Sequence, residues 1–568
     1  MPRSGVNLTG VKSEAYVTRA TGATRGARHR PVGVSTVGQV PHGPVRRRWF
    51  PALLLVAALL AGCAPSGPHD RSEAPADPAV VQIGTGTLRG VLADDHRLFA
   101  GIPYAAPPVG PLRFQPPQPA TPWTGERDAT RPGPRCVQDP GPDPEFGRHT
   151  DEDCLTLNVW TPPAAPERKP VMVWIHGGAF VNGSSGVYDS RWLASRGDIV
   201  VVTVNYRLGA LGFLAHPALG PPGEVGNYGL ADQQAALRWV RDNISAFGGD
   251  PQKVTVAGES AGAMSVCDHL VAPGSTGLFR AAIIQSGPCQ AQADLPTAQA
   301  RSLDYAAGVG CGDPAVAAAC LRALPTDKLR EPVWFVGIGA DDLTGPVTAS
   351  AALPVAPPAA FADGRAARVP VLIGSTRDEF TLFVALRYLQ HGDRYTAAEY
   401  PALLADTFGP NAAQVAAHYP LDRYNHPALA YAAAVTDGEF ACVGDRIARD
   451  LAGGQPVYAY EFDDRQAPTP EPLRTLPFPV GASHSLELRY LFDVGGAPPL
   501  TPAQQTLSDQ MLDYWSSFVR DGAPTSADGP AWPRFGAGEY LSLQPEGNRV
   551  TTTFADEHQC GFWAGLTR

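Results

Sequence analysis

Six short runs, most of them continuously apolar, constrain the fold of this 568-residue chain more than any other feature. The runs cover residues 171–175, 199–204, 254–257, 281–285, 369–373 and 457–460. Strands that are apolar on both faces are typical of a parallel sheet buried between helices. Between two of the runs, Leu230, Leu237, Val240 and Ile244 recur at helical spacing, and the glycine pair before Pro251 ends that helix. The pattern predicts an α/β fold with a mostly parallel central sheet, helices on both faces and long loop insertions.

The composition agrees with a large buried core. Hydrophobic residues make up 44% of the chain and charged residues 18%, which excludes a disordered chain and a coiled coil as the main architecture. The net charge of −10 argues against nucleic-acid binding, because phosphate binding needs a basic face. No clear linker appears after residue 80, so residues 80–568 are predicted to form one large domain.

The first 62 residues differ in charge from the rest of the chain. They contain nine Lys and Arg against one Glu, which is typical of a targeting segment. Three arginines at 46–48 precede an apolar run at 49–60, which is shorter than the roughly 20 residues that span a bilayer. Residues 60–63 read Leu-Ala-Gly-Cys, which resembles the lipobox of bacterial lipoproteins, where the Cys is acylated.

Acylation of Cys63 would hold the protein at the outer face of a bacterial membrane. The alternatives are an ordinary secretory signal with an incidental Cys and, from the paired arginines, twin-arginine export. Residues 1–63 are therefore predicted as an N-terminal extension and lipoprotein signal peptide, and residues 64–79 as a flexible tether. Because residues 1–44 fit no signal peptide, Val45 is a candidate for the true first residue.

The strongest local motif lies at residues 258–262, which read Gly-Glu-Ser-Ala-Gly. The bare pattern is weak in a chain with 60 Gly, but here it follows a predicted strand and precedes a helical stretch. That context is the one required for a nucleophile elbow, in which flanking glycines remove the Cβ atoms that would clash. The motif predicts that the Ser260 hydroxyl is a nucleophile standing clear of the sheet edge.

A serine hydroxyl needs a neutral imidazole to take its proton and a carboxylate to orient that imidazole. In this type of fold the acid and then the histidine follow the serine along the chain. Six histidines follow it: His269, His391, His418, His426, His484 and His558. A loop of small residues makes His484 the best candidate for the base, whereas His269 lies on the helix after the serine. Asp378 and Glu379 follow the apolar run 369–373, and spacing alone does not choose between them.

Backbone N–H groups must also stabilise the negative oxygen, each by about 3–4 kcal/mol. One is expected from Ala261, directly after the nucleophile. The others are expected from the loop 176–180, which reads His-Gly-Gly-Ala-Phe and follows the run 171–175. His176 is interpreted as structural, because it precedes the serine and belongs to this loop.

These motifs together resemble the type B carboxylesterase family, which includes the cholinesterases and bacterial para-nitrobenzyl esterases. Further matches are Phe-Ala-Gly-Ile-Pro-Tyr-Ala at 99–105, Glu-Asp-Cys-Leu at 152–155 and Asn-Tyr-Arg-Leu-Gly at 205–209. The resemblance runs from about residue 80 to the C-terminus. It implies an α/β-hydrolase fold and a serine carboxylesterase that requires no metal and no organic cofactor.

The resemblance also implies roles for individual residues. It makes Ser260 the nucleophile, Glu379 the acid and His484 the base. The family usually has Gly after the acid, and Phe380 at that position leaves Asp378 as an alternative. The implied oxyanion donors are Gly178, Ala179 and Ala261.

Structural roles follow from the same resemblance. It implies disulfides Cys136–Cys154 and Cys311–Cys320, and a buried ion pair of Arg207 with Asp232. It places Glu259 and Glu487 as buried acids that tune His484. The pairing of the remaining cysteines is left open: Cys267, Cys289, Cys442 and Cys560. Residues 140–151 lack the Trp by which cholinesterases recognise choline, so choline specificity is not supported.

The sequence therefore predicts an extracytoplasmic enzyme that hydrolyses a small-molecule ester through an acyl-enzyme intermediate. A catalytically dead binding protein of the same family is the main alternative, and the filled serine, acid and histidine positions count against it. Cleavage of amides, carbamates or long-chain lipid esters is a third possibility. The sequence does not fix the physiological substrate or the oligomeric state.

Overall fold

The computed structural model of the protein describes residues 77–139, 149–163 and 167–566. The predicted signal peptide with Cys63, the tether up to residue 76 and the alternative start at Val45 lie outside these residues. In chain order the strands are β1 (Val80–Ile83), β2 (Gly86–Arg89), β3 (Val91–Leu92), β4 (Arg97–Pro103), β5 (Glu126–Asp128), β6 (Arg135–Cys136), β7 (Thr150–Asp151), β8 (Thr156–Thr161), β9 (Lys169–Ile175), β10 (Val200–Val204), β11 (Gly249–Glu259), β12 (Ala281–Gln285), β13 (Ala293–Asp294), β14 (Val336–Ile338), β15 (Asp341–Leu343), β16 (Val347–Thr348), β17 (Val371–Thr376), β18 (Val457–Phe462), β19 (Tyr540–Leu543) and β20 (Arg549–Thr551).

Eleven of these strands form one mixed sheet in the order β20-β19-β18-β17-β12-β11-β9-β10-β8-β4-β3. The central block from β19 to β10 is parallel throughout. The pairs β20–β19, β10–β8, β8–β4 and β4–β3 are antiparallel. The expectation of a mostly parallel sheet is therefore correct for the centre and wrong for the two ends.

The apolar runs do not predict the antiparallel ends of the sheet, because the strands there are not continuously apolar. Arg97 begins β4 and Asn158 lies within β8, and both polar side chains are buried. All six predicted runs, in contrast, contain a strand of the central block. In β10 every residue is buried, as expected for a strand covered on both faces.

Helices connect the strands and pack against the sheet. They are α1 (Arg191–Ser195), α2 (Gly209–Phe213), α3 (Tyr228–Asn243), α4 (Ala261–His269), α5 (Leu295–Gly308), α6 (Ala317–Ala323), α7 (Pro357–Ala362), α8 (Thr381–His391), α9 (Tyr400–Phe408), α10 (Ala412–His418), α11 (Pro427–Val435), α12 (Cys442–Ala452), α13 (Glu471–Arg474), α14 (Pro502–Asp521), α15 (Phe554–Glu557) and α16 (Cys560–Ala564). A π-helix, Thr436–Ala441, lies between α11 and α12. Beyond α3 the chain turns at Gly248, whose φ is 88°, which agrees with the predicted glycine stop.

Helix α4 contacts β9, β11 and β12, so the segment after Ser260 is fixed to the middle of the sheet. Within the described ranges, no helix combines the length and the apolar character that a membrane crossing requires.

Four disulfides cross-link the described part of the chain. The two implied by the resemblance, Cys136–Cys154 and Cys311–Cys320, are present. The four cysteines left open form Cys267–Cys289 and Cys442–Cys560. Cys267–Cys289 ties α4 to the segment after β12, and Cys442–Cys560 joins the starts of α12 and α16. Cross-links of this kind typically stabilise a fold by about 2–4 kcal/mol each.

The Arg207–Asp232 pair is buried and bidentate, as expected. Arg207 Nε and Nη2 each lie 2.7 Å from an Asp232 carboxylate oxygen. Asp232 Oδ2 also accepts the backbone N–H of Arg207 at 3.1 Å. A buried charge pair is costly to break, because either partner alone would be an unpaired buried charge.

Candidate active site

Ser260 occupies a sharp turn between β11 and α4. Its φ is 57° and its ψ is −123°, a backbone conformation that is strained for any residue with a Cβ. A Cβ on Gly258 would lie 2.5 Å from the carbonyl carbon of Gly262, and one on Gly262 would meet the Ile175 carbonyl. The two glycines are therefore required for the turn to close, and the Ser260 side chain is left half-buried.

Glu379 and His484 meet at the same edge of the sheet. Glu379 follows β17, and His484 lies in the connection between β18 and α14. His484 Nδ1 is 2.5 Å from Glu379 Oε2, and the other oxygen of that carboxylate accepts the backbone N–H of Thr376 at 2.7 Å. Both side chains are buried. The carboxylate is thus held by two hydrogen bonds and fixes the orientation of the imidazole.

The second ring nitrogen of His484 faces the elbow. Nε2 is buried and has no hydrogen-bond partner among the described residues. It lies 3.2 Å from Oε1 of Glu259, the residue directly before Ser260. This nitrogen is therefore available to accept a proton beside the nucleophile turn.

Asp378 has a different role from its neighbour Glu379. Its Oδ2 accepts the backbone N–H of Ala482 at 2.9 Å, and its Oδ1 accepts from Arg465 at 2.8 Å. Both carboxylate oxygens of Asp378 thus accept hydrogen bonds, and one of these bonds stabilises the loop that carries His484. The geometry favours Glu379 over Asp378 as the partner of the imidazole.

The other candidate histidines have other surroundings. His269 is buried between Ser275 and Gln233, and His558 is buried between two carboxylates. The remaining three lie at helix ends: His391, His418 and His426. His176 Nδ1 donates to the Gly177 carbonyl oxygen of its own loop at 2.8 Å.

The glycine-rich loop after β9 reaches the elbow. A Cβ on Gly177 would lie 3.0 Å from the Ser260 Cβ, so this backbone approaches the serine closely. Gly178 and Ala179 have φ values of 103° and 54°, and their N–H groups donate no hydrogen bond within the described residues. Ala261 is the first residue of α4, where N–H groups lack helical partners. All three predicted donors are therefore next to the turn and unengaged.

Two aromatic rings that the sequence did not single out enclose the imidazole. The ring centroids of Phe383 and Phe440 lie 5.1 Å and 5.6 Å from that of His484. Phe383 is on α8 and Phe440 is on the π-helix. The rings restrict the positions that the His484 side chain can take.

A family model of the carboxylesterases matches residues 77–563, which is most of the chain. The chain belongs to the carboxylesterase family. The predicted family and the enzyme class, a carboxylic ester hydrolase, are confirmed by this match. The mixed sheet with its helices is accordingly an α/β-hydrolase fold.

Buried acids surround the imidazole of this carboxylesterase. Glu259 and Glu487 are both buried; the Ser485 hydroxyl donates to Glu259 Oε1 at 2.5 Å, and Gln285 donates to Glu487 Oε1 at 3.2 Å. Burial raises the pKa of Glu259. Burial and the charges of Glu259 and Glu379 together raise the pKa of Glu487 to about 8. Near neutral pH Glu487 therefore tends to hold a proton.

The same acids set the protonation of the base. Burial lowers the pKa of His484, but Glu259 and then Glu379 raise it more, to about 9. A general base must be neutral, so a lower His484 pKa extends its action to lower pH. Protonation of Glu259 removes the charge nearest to Nε2 and favours the neutral imidazole.

Replacing Glu259 by Gln is expected to shift the acidic limb of the kcat/KM profile of this carboxylesterase to lower pH. An opposite charge within about 4–6 Å shifts a pKa by roughly one to three pH units, so a shift of about one pH unit is expected. Stopped-flow or initial-rate hydrolysis of p-nitrophenyl acetate between pH 5 and 10 measures it. Glu487→Gln serves as the comparison and should shift the limb less, because Glu487 contributes less to the His484 pKa. An unchanged limb, or a shift to higher pH, would contradict the assignment.

Proposed function

We propose that the protein is a serine carboxylesterase that hydrolyses small-molecule esters through an acyl-enzyme, with Ser260 as nucleophile, His484 as base and Glu379 as acid. Ester hydrolysis by a serine hydrolase is the activity of its family. The observation that carries the residue assignment is the 2.5 Å contact of His484 Nδ1 with Glu379, which leaves Nε2 beside the elbow, 3.2 Å from Glu259 Oε1.

In the first half of the proposed reaction, the Ser260 oxygen attacks the ester carbonyl carbon as its proton moves to His484 Nε2. Glu379 stabilises the imidazolium that forms and keeps its orientation. The C–O bond to the alcohol then breaks, and the alcohol leaves with the proton from Nε2. Ser260 is left acylated and His484 is neutral again.

In the second half, water takes the place of the alcohol. His484 accepts a proton from water as its oxygen attacks the acyl carbon, and the Ser260 oxygen leaves with that proton. The products are a carboxylic acid, which ionises, and the free serine. In both halves the negative carbonyl oxygen is assigned to the N–H groups of Gly178, Ala179 and Ala261, since they lie beside the turn and are not otherwise engaged.

A covalent probe and burst kinetics test the proposal together. A fluorophosphonate is expected to label Ser260 stoichiometrically, located by peptide mass spectrometry, and p-nitrophenyl acetate is expected to give a burst of p-nitrophenol before the steady state. The matched control is Ser286→Ala, because Ser286 also follows a strand of the parallel block and has a φ of 54°; this variant should be labelled normally. Label on another residue would overturn the assignment. An unlabelled, inactive protein would instead support the binding-protein alternative.

We further propose that Cys63 carries lipid and holds the enzyme at the outer face of a bacterial membrane. The support is the sequence at 46–63, with its arginines, short apolar run and Leu-Ala-Gly-Cys end. Expression of the full chain in a bacterial host should place it in the membrane fraction, and Cys63→Ser should release it or leave its precursor uncleaved. Failure of the wild-type chain to incorporate an alkyne-tagged fatty acid would contradict the anchor.

A further inference from the structure

The π-helix Thr436–Ala441 contacts both the proposed acid's neighbour and the proposed base. Thr436 Oγ1 accepts the backbone N–H of Phe380 at 2.9 Å, and Phe380 directly follows Glu379. Phe440, near the other end of the π-helix, packs its ring edge-on against His484, at 67° between the planes. Such helices are rare and occur often at functional sites. A displacement of this one turn would therefore disturb the acid and the base together.

His558 fixes the π-helix to the sheet. Its Nδ1 lies 2.5 Å from Oδ1 of Asp437, within the π-helix, and its Nε2 lies 2.7 Å from Oε1 of Glu461, on β18. All three residues are buried, with exposed fractions of 6% or less. Burial lowers the pKa of His558, but the two carboxylates raise it more, to about 10. The ring is therefore a cation that donates both of its protons.

Both carboxylates that His558 connects, Asp437 and Glu461, have further hydrogen-bond partners. The second oxygen of Asp437 accepts from the Tyr419 hydroxyl at 2.7 Å, and that hydroxyl accepts from Trp563 Nε1 at 2.7 Å. The second oxygen of Glu461 accepts from Arg377 at 3.0 Å. Because each carboxylate oxygen has a partner, the positions of Asp437 and Glu461 are strongly determined.

Neither the elbow nor the proposed oxyanion donors touch this cluster, so the reaction steps above do not use it. It reaches the proposed acid and base by two indirect routes: the π-helix, and Arg377, which pairs with Glu461 and lies two residues before Glu379. The base must keep Nδ1 on Glu379 while Nε2 faces the serine, and misplacement by about 1 Å can cost on the order of 10²-fold in rate. Phe440 restricts the ring to that position only while the π-helix stays in place.

We propose that His558 is a positioning residue for the esterase reaction: by bridging Asp437 to Glu461 it holds the π-helix where Phe440 packs on His484. The inference rests on the proposed function, because it takes His484 as the base. His558 itself touches no reacting atom. Its effect passes through the π-helix to the imidazole.

The test compares His558→Gln, Phe440→Leu and the double variant. Active sites are counted by titration with a fluorophosphonate, so that kcat refers to folded, reactive enzyme. Each single variant should lower kcat by about tenfold to a hundredfold, with KM for p-nitrophenyl acetate within about twofold, since the proposed effect is on the position of the base during the reaction. If His558 acts through Phe440, the double variant should be no slower than the slower single variant.

His418→Gln is the matched control. His418 contacts the same C-terminal segment, with Nδ1 3.1 Å from Gln559 and its ring stacked on Phe562, but it does not bridge to the π-helix. This variant should keep the wild-type kcat. A His558→Gln enzyme with lowered thermal stability but unchanged kcat per titrated site would overturn the proposal, as would fully additive effects in the double variant.

If His558→Gln does not fold, two other variants test whether the π-helix positions the base. Phe440→Leu and Thr436→Val leave the buried charges in place, and both should lower kcat per titrated site if the π-helix positions the pair. Unchanged kcat in both would contradict the inference. A failure of the proposed function is distinguishable, because the wild-type enzyme would then titrate no sites at all.

Discussion

Ser260→Ala is expected to lower kcat for p-nitrophenyl acetate by about 10⁵–10⁶-fold, the loss typical of removing a serine nucleophile. The fold should be retained, because alanine keeps the Cβ that the wild-type turn already accommodates at a φ of 57°. Only the hydroxyl, at a half-buried position, is removed. Hydrolysis is measured under saturating ester, and circular dichroism and thermal melting report on the fold.

The rate that remains in the Ser260→Ala enzyme shows whether Ser260 is the nucleophile. Residual hydrolysis above the uncatalysed rate would come from the oxyanion donors and from binding alone. A Ser260→Ala enzyme that keeps more than about a tenth of the wild-type kcat, with an intact melting curve, would exclude Ser260 as the nucleophile.

Glu379→Gln is expected to lower kcat by about 10⁴-fold, because an amide in place of the acid favours the wrong imidazole tautomer. The structure shows why the effect should be large. The buried carboxylate accepts from Thr376 and contacts His484 Nδ1 at 2.5 Å, and in the proposed mechanism it stabilises the imidazolium in each half of the reaction.

Asp378→Asn is the matched comparison, since it changes the neighbouring carboxylate in the same way. An asparagine oxygen can still accept the N–H of Ala482, and the lost pair with the exposed Arg465 is worth at most about 1 kcal/mol. The expected fall in kcat is therefore less than about fivefold. The opposite ranking of the two variants would assign the acid to Asp378.

Local rules of the chain predict the centre of the fold and the nucleophile turn. Runs of residues buried on both faces mark the parallel strands, and two glycines around Ser260 satisfy a steric requirement that the structure displays at Ile175 and Gly262. The residue pattern of both features is local, so it can be recognised in the sequence, although the clash that excludes a Cβ on Gly262 comes from Ile175 on another strand.

The acid and the base are harder to predict, because their choice depends on tertiary packing. Asp378 and Glu379 are adjacent at one strand end, and their side chains separate only when the loop carrying His484 is in place. Six histidines follow the serine, and resemblance to a family rather than spacing selects one of them. The catalytic roles stay predictions until the variants are measured.

The contact of Phe440 with His484 could not be predicted from the sequence. Phe440 lies on a turn of π-helix, a rare conformation with no local pattern, and that turn is held by residues from a distant strand and from the C-terminal segment. The antiparallel ends of the sheet were missed for a related reason, because their buried polar side chains find partners that only the folded protein supplies.

The proposed serine, acid and base follow three different strands of one sheet, and the last two are 105 residues apart. No fragment that ends before β18 can contain all of them. A truncated or partly refolded chain should therefore not hydrolyse esters. The rate of p-nitrophenol release from p-nitrophenyl acetate can therefore measure how many molecules are completely folded during refolding or secretion. Spectroscopic signals of helix content do not give that number.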